Sequence, residues 1–357
     1  MTTDDRGAGS SGSASLPRPQ RAQRDGAPVT VTVLGPGLEI DGVLLDWLDI
    51  DTVVEGDHRV ALHLANGTVT TLSMLGATHD RFLTELRAER RRARYAALTI
   101  ATGEPTASYL SRAADGPVDV HLFPKVLVAE PRSGSPVAVP LSLVSSVDRS
   151  GYTITVTAAG LDPLVVTALG AKSDEFVMRL AQARRDLLIA TAAAYAQFDA
   201  ALEGLSAPDG CAVDAAGAGT YWSALLDRAE GGSRANEVRL LAELAGERLR
   251  IGIYTEGGTS TLPFVLAPIG EFVVVEATDG DDRATFVFRT ADVARLNAVL
   301  LLTSFRREAL FLTDDRLGRW AVAVRTWAAV REARAALVAR VIHDEQWETK
   351  VRAALGR

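Results

Sequence analysis

The residues best suited to chemistry in this chain are few and scattered. Its one cysteine, Cys211, sits in Pro208-Asp209-Gly210-Cys211-Ala212, a turn-like string with no histidine nearby in sequence. A cysteine nucleophile needs a neighbouring base or cation to hold the thiolate, so a structural thiol is the expectation. The histidines, His58, His63, His79, His121 and His343, form no His-Glu-x-x-His string and no Cys/His cluster, and no metal site is expected. His58 and His63 flank one strand segment five residues apart, which places them on opposite faces of a regular strand. Gly35-Pro36-Gly37 follows a strand pattern but lacks the third glycine and the following helix of a dinucleotide fingerprint. Gly257-Gly258-Thr259-Ser260-Thr261 is a hydroxyl-bearing loop rather than a nucleophile elbow. Asp279, Asp281 and Asp282 have the wrong spacing for an EF-hand and read as turn residues. No catalytic residue and no cofactor is therefore expected, and the chain reads as non-enzymatic.

Binding chemistry has two candidate sources. Arg87, Arg90, Arg91 and Arg94 recur at helical spacing, with Arg184 and Arg185 as a later counterpart. They predict either a solvated helix face or a basic ridge making weak, salt-sensitive contact with an anionic membrane or nucleic acid. Trp320 and Trp327 lie on an apolar stripe near the C-terminus. That stripe predicts a helix packed on its neighbour, or one that pairs with a partner or a second copy of the chain.

Composition sets the frame for these candidates. A chain of 357 residues with 47% hydrophobic residues can fill two or three cores. The net charge of −7 is mild, so bulk attraction to nucleic acid is not expected. One cysteine excludes an internal disulfide framework and suits a reducing compartment. Lysine occurs only at Lys125, Lys172 and Lys350 among abundant arginine, a bias typical of high-GC bacterial genomes. No run reaches the length of a membrane span and no apolar leader is visible, so a soluble cytoplasmic protein is expected.

Residues 1–28 are Ser, Gly, Pro, Arg and Asp with almost no large apolar side chain, which predicts a disordered tail made basic by Arg18, Arg21 and Arg24. Alternation then predicts strands at Val29–Val33, Leu38–Ile40, Val43–Val54, His58–Leu64 and Val69–Leu75. The Asn66-Gly67 pair predicts a type I′ hairpin. At Thr78 the period changes from two to three or four. Phe82, Leu83, Leu86, Ala88 and Ala93 form a helical stripe, capped near Thr78 to Asp80.

The same text returns 94 positions later. Leu75-Gly76-Ala77 through Phe82 and Leu86 matches Leu169-Gly170-Ala171 through Phe176 and Leu180, and continues to Arg90-Arg91 against Arg184-Arg185. Upstream, Ile50, Val53, Val60 and Leu62 pair with Val144, Val147, Ile154 and Val156 in the same register. Agreement in both the strand period and the helix period argues for a duplicated module. Gly76 and Gly170 fall where a strand must turn into a helix. Asp80 and Asp174 sit in the first helical turn, at the positive dipole end.

A third, weaker copy is expected at 248–308, with strands at Arg248–Tyr254, Leu262–Leu266, Glu271–Ala277 and Arg283–Phe288, the turn Thr278–Asp282 and a helix from Ala291. The resulting plan is a tail (1–28), two modules (29–97 and 117–190), a helical linker (191–247, with helix also at Tyr221–Arg228), the third module, and one amphipathic helix (313–357). The fold class is α+β, with tandem antiparallel meanders each closed by a helix.

A meander of about seven short strands closed by an amphipathic helix resembles the pleckstrin-homology-like superfamily. The likeness rests on Val139-Pro140-Leu141-Ser142-Leu143-Val144 as a mid-sheet strand and on the strand, Leu-Gly, helix junction. It implies a bent, nearly orthogonal sandwich plugged by the helix, and binding to phosphoinositides, peptides or proteins. The lipid-binding branch uses clustered Lys and Arg around the first hairpin. Here Gly35–Gly42 carries no base, Phe123–Arg132 carries two bases and one acid, and Glu256–Ser260 carries none. Too few cations converge to neutralise an inositol phosphate, so the resemblance points to a protein or peptide partner.

Overall fold

The computed structural model describes residues 18–98, 100, 103–113, 116–131, 135–204, 207–214, 235–256, 260–277, 284–318 and 320–356. Two compact units result, Met1–Ala93 and Arg94–Arg357.

In the first unit the strands are β1 (Gln20–Arg24), β2 (Ala27–Val33), β3 (Gly37–Ile40), β4 (Val43–Asp46), β5 (Ile50–Gly56), β6 (Arg59–Leu64) and β7 (Val69–Ser73). They form one antiparallel sheet in the order β4-β3-β2-β1-β7-β6-β5. Order therefore begins before Val29, which corrects the boundary of the expected tail; residues 1–17 lie outside the described residues. β1 pairs with β2 across Asp25-Gly26, whose φ angles of 50° and 91° are those of a type I′ turn. At the Asn66-Gly67 hairpin only Gly67 has positive φ (83°) and its N–H donates to the Leu64 carbonyl at 2.9 Å, so a type I turn ending in a left-handed glycine replaces the expected type I′.

The expected strand Val43–Val54 is broken by a 3-10 turn at Trp47–Asp49, whose start Asp46 caps by accepting from Leu48 N–H at 2.8 Å. A helix, α1 (His79–Leu98), follows the sheet. Phe82, Leu83 and Leu86 on its early turns join Val31, Leu38, Trp47, Leu62 and Leu72 in the core of this unit.

The second unit opens with the same frame: β8 (Ala107–Ala113), β9 (Gly116–Leu122), β10 (Val126–Pro131), β11 (Val137–Pro140), β12 (Val144–Ser150), β13 (Thr153–Ala158), β14 (Leu164–Thr167), then α2 (Ser173–Phe198). The sheet order, β11-β10-β9-β8-β14-β13-β12, repeats the first. The duplication reaches fine detail. Met74 and Ala168 share left-handed φ (60° and 59°), and Gly76 and Gly170 share φ of 56°. A bulge shifts register at Ile50/Thr52 and again at Val144/Ser146.

A third sheet of six strands is built differently. Its order, β15 (Val213–Asp214), β16 (Arg250–Glu256), β17 (Ser260–Ile269), β18 (Phe272–Ala277), β19 (Ala284–Arg289), β20 (Leu337–Ile342), is a simple meander, not a copy of the seven-stranded pattern. Alternation sends Phe264, Leu266, Val273, Val275, Phe286 and Phe288 into a core shared with the second module. Val265, Ala267, Val274 and Val287 enter another core with Tyr195 of α2. Among the described residues the remaining helices are α3 (Ala235–Ala245), α4 (Val293–Leu302), α5 (Glu308–Phe311), α6 (Trp320–Thr326), α7 (Ala328–Ala336) and α8 (Trp347–Ala354).

Three boundaries change. The expected linker supplies β15 and the buried Val238 and Leu241 of α3 to the third sheet's core. The third module does not end at 308, because β20 is its edge strand. The expected single C-terminal helix is broken: Gly318 has φ of 51°, Trp327 is extended, and Leu337–Ile342 is a strand. The expected Tyr221–Arg228 helix and Thr278–Asp282 turn lie outside the described residues. Among the described residues no helix is long and apolar enough to cross a membrane.

Candidate functional site

The repeated arginine was expected on a solvated helix face or a basic ridge, and the structure instead buries Arg90 and half-buries Arg184. Arg90 is buried; its Nε donates to the Ile50 carbonyl at 2.8 Å and its Nη2 donates to the Asp51 carbonyl. Arg184 Nη2 donates to the Val144 carbonyl at 2.6 Å, one repeat later. Each guanidinium thus satisfies carbonyls at the bulge that starts the fifth strand of its module, where the ladder is interrupted. Arg87 pairs with Glu55 at 2.9 Å. Arg94, in the second unit, is buried against Glu130 at 3.3 Å, and Tyr95 Oη donates to the same carboxylate at 2.9 Å. Arg91 is half-buried. The four do not form a basic ridge.

Trp320 and Trp327 are core residues of the second unit rather than a contact face, with Trp327 only 2% exposed and packed 6.5 Å from Tyr95 between ring centroids. An apolar stripe reads alike whether a neighbour or a partner covers it, so sequence periodicity could not decide this point.

The open surfaces lie at sheet edges. In the first unit β4 is an edge strand whose Val43 and Leu44 are 67% and 50% exposed. Its position is held from behind. Trp47 is fully buried and its Nε1 donates to the carbonyls of Leu34 (2.9 Å) and Gly35 (3.0 Å). Asp41, in the β3–β4 turn, accepts from Thr30 N–H at 2.7 Å.

In the second module the matching edge is closed from Ala138 onward, while Val137 stays 45% exposed. α4 lies against β11, and Ala138, the counterpart of Leu44, is 4% exposed. Gly160 in the β13–β14 turn has φ of 73°, and a Cβ there would sit 2.1 Å from the Ala294 carbonyl oxygen. Arg295 of α4 donates to the Gly160 carbonyl at 3.3 Å and pairs with Glu332 at 2.8 Å. Asp162, Asp292, Arg295 and Glu332 line an open cleft of about 460 Å³ at this junction.

Cys211 lies at a second junction of this unit. Asp209 is buried, accepting from Thr255 N–H at 2.7 Å and from Lys125 Nζ at 3.1 Å. Burial raises its carboxyl above the usual range, against the pull of Lys125. Asn297 of α4 clamps the same segment, donating to the Gly210 carbonyl and accepting from Ala212 N–H, each at 2.6 Å. Burial pushes the Cys211 thiol up to about 12, and its Sγ donates to the Ser142 carbonyl at 3.3 Å. Such a thiol stays protonated at neutral pH, and the segment works as a joint between the second module and the third sheet.

A buried polar knot also pins the chain end to the third sheet. Thr285 Oγ1 donates to Glu276 and accepts from Trp347 Nε1 at 2.7 Å, while His343 Nε2 lies 3.0 Å from that hydroxyl. Among the described residues no three metal-ligating side chains gather. No family model matches the chain, and no curated protein is significantly similar to it.

Proposed function

We propose that the chain is a non-enzymatic scaffold, built on two modules of pleckstrin-homology-like type, that recruits a protein or peptide partner in the cytoplasm. The observation that carries this reading is the contrast at one position of the repeat: the β4 edge is exposed and apolar where the β11 edge is filled by the chain's own helix. An exposed apolar edge on a rigid frame is a recognised docking surface. The duplicated residues, Phe82 and Phe176, Arg90 and Arg184, Gly76 and Gly170, act in packing, carbonyl satisfaction and turn geometry, which suits a module kept for its frame.

The other reading, a peripheral membrane protein held by the basic tail and the first-module helix, loses support. Arg90 and Arg94 are buried and hydrogen-bonded within the protein, and the exposed Arg87 is paired with Glu55. Recruitment through the C-terminal tryptophans loses support for the same kind of reason. In-cell crosslinking in the native host tests the scaffold reading. It should yield a protein at near-stoichiometric ratio, and a crosslinked fraction with no reproducible protein would overturn it.

A further inference from the structure

We infer that the open β4 edge of the first unit seats a basic amphipathic helix of another protein, in the place that α4 fills on the second module. The inference deepens the scaffold reading and rests on it. The repeat supplies the template. In the second module the site has two walls, β11 and the Gly160 turn, and α4 touches both. In the first unit the equivalent walls are β4 and the Ala65–Thr68 turn. Both are exposed, and a Cβ at Gly67 would meet nothing within 4 Å. Where the second module has the small Ala138, the first offers Leu44, a protruding anchor for an apolar helix face.

Charge selects the occupant. From Asp25 to Asp57 the chain has eight carboxylates and no lysine or arginine, whereas residues 115–151, the matching stretch, have four acids and three bases. Among the described ion pairs only Glu55 of those eight has a cationic partner. Asp41 and Asp46 are exposed beside Val43 and Leu44, and Asp51 is exposed just beyond the 3-10 turn. A second copy of this edge would bring acid against acid, so self-pairing is disfavoured, and a helix with Lys or Arg flanking its apolar stripe is favoured. β4 has only four residues, so an added strand would gain few ladder bonds, while a helix can cover both the strand and the turn.

The test uses the full chain and a fluorescent synthetic peptide with a leucine stripe flanked by lysine and arginine, followed by anisotropy. Companion peptides replace the flanking bases with glutamate or place a proline mid-helix. The basic peptide should bind, and should weaken by about tenfold or more when salt is raised to screen the rim. The glutamate and proline peptides should each bind about tenfold more weakly or not at all. Leu44→Glu, and separately the Asp41→Asn/Asp46→Asn pair, should weaken the basic peptide by about tenfold with an unchanged melting temperature. Val137→Glu on the second module should change nothing. Equal affinity of the proline peptide would show an added strand and overturn the inference. So would insensitivity to Leu44→Glu, or a homodimer that Leu44→Glu abolishes. A crosslinked cellular partner whose capture survives Leu44→Glu would remove this site and leave the scaffold reading standing. Peptide binding at Leu44 with no crosslinked partner would keep the site and remove the recruiting role.

Discussion

The two seven-stranded modules share one plan and differ in what surrounds it. The first closes a core of its own around Phe82 and Trp47 and leaves β4 bare. The second merges its core with the third sheet and α4, and its corresponding edge is covered from Ala138 onward. One frame thus serves two roles, as a separate unit and as a wall of a larger one. The difference lies in edge residues and turns, since the helix anchors, the bulge arginines and the Leu-Gly junctions are the same.

Core truncation should break the comparison most sharply. Phe82→Ala and Phe176→Ala each remove a fully buried ring and should cost about 3–5 kcal/mol. Hydrogen exchange should show the first loss confined to the smaller unit. The second should spread through the module, α4 and the third sheet. Spread from Phe82→Ala into the third sheet would deny the separation of cores.

Charge at the matched edge positions comes next. Ala138→Glu buries a carboxylate under α4 and should cost about 3 kcal/mol or more. Leu44→Glu, on an open edge, should stay within about 0.5 kcal/mol. Equal costs in urea titrations would mean that the β4 edge is covered in solution.

The arginine clasp sharpens the likeness rather than the contrast. Arg90→Met leaves buried carbonyls unpaired and should cost about 2–3 kcal/mol. Arg184→Met, which loses one such bond at a half-buried site, should cost about 1–2 kcal/mol. Thermal melts that reverse this order would show that the two bulges are not equivalent.

The smallest effect is pH-dependent and belongs to the second unit alone. Burial raises the folded-state pKa of Asp209 above its usual 3.8, so the unfolded chain ionises this group first. Its contribution is therefore most favourable below the usual value, declines as pH climbs toward the raised value, and is constant above. Asp209→Asn keeps an oxygen for Thr255 N–H and should remove that component from urea midpoints stepped through this window. An unchanged slope would mean that Asp209 ionises as freely folded as unfolded.

Much of the frame was legible because the repeat kept strand and helix periods in one register. β1 escaped because Gln-Arg-Ala-Gln-Arg has one apolar residue, Ala22, to face the core; Asp25-Gly26 was the signal that marked its hairpin. The C-terminal run misled because Leu, Trp and Val spaced three to four apart fit a broken set of short helices as well as one long one. Within it, the β-branched Val338, Val341 and Ile342 were the hint of β20. The arginines were misplaced because sequence shows a charge but not the bulged carbonyl that buries it. Recurrence was no guide either, since Arg91 recurs as the exposed Arg185 just as Arg90 recurs as Arg184. The apolar strings alone do not tell the bare edge from the covered one: Val43-Leu44-Leu45 and Val137-Ala138-Val139 look equally buried.

The pairing of β19 with β20 has a consequence for synthesis. A ribosome releases the first module's sheet and helix long before Leu337–Ile342 exists, so that module can be complete and ready to engage other molecules while the rest is still being made. The third sheet has to wait, with Ala284–Arg289 unzipped along one side, until Leu337–Ile342 has left the ribosome. A chain cut short before Leu337 would therefore carry one finished module and one exposed, sticky edge, a natural target for quality-control proteases.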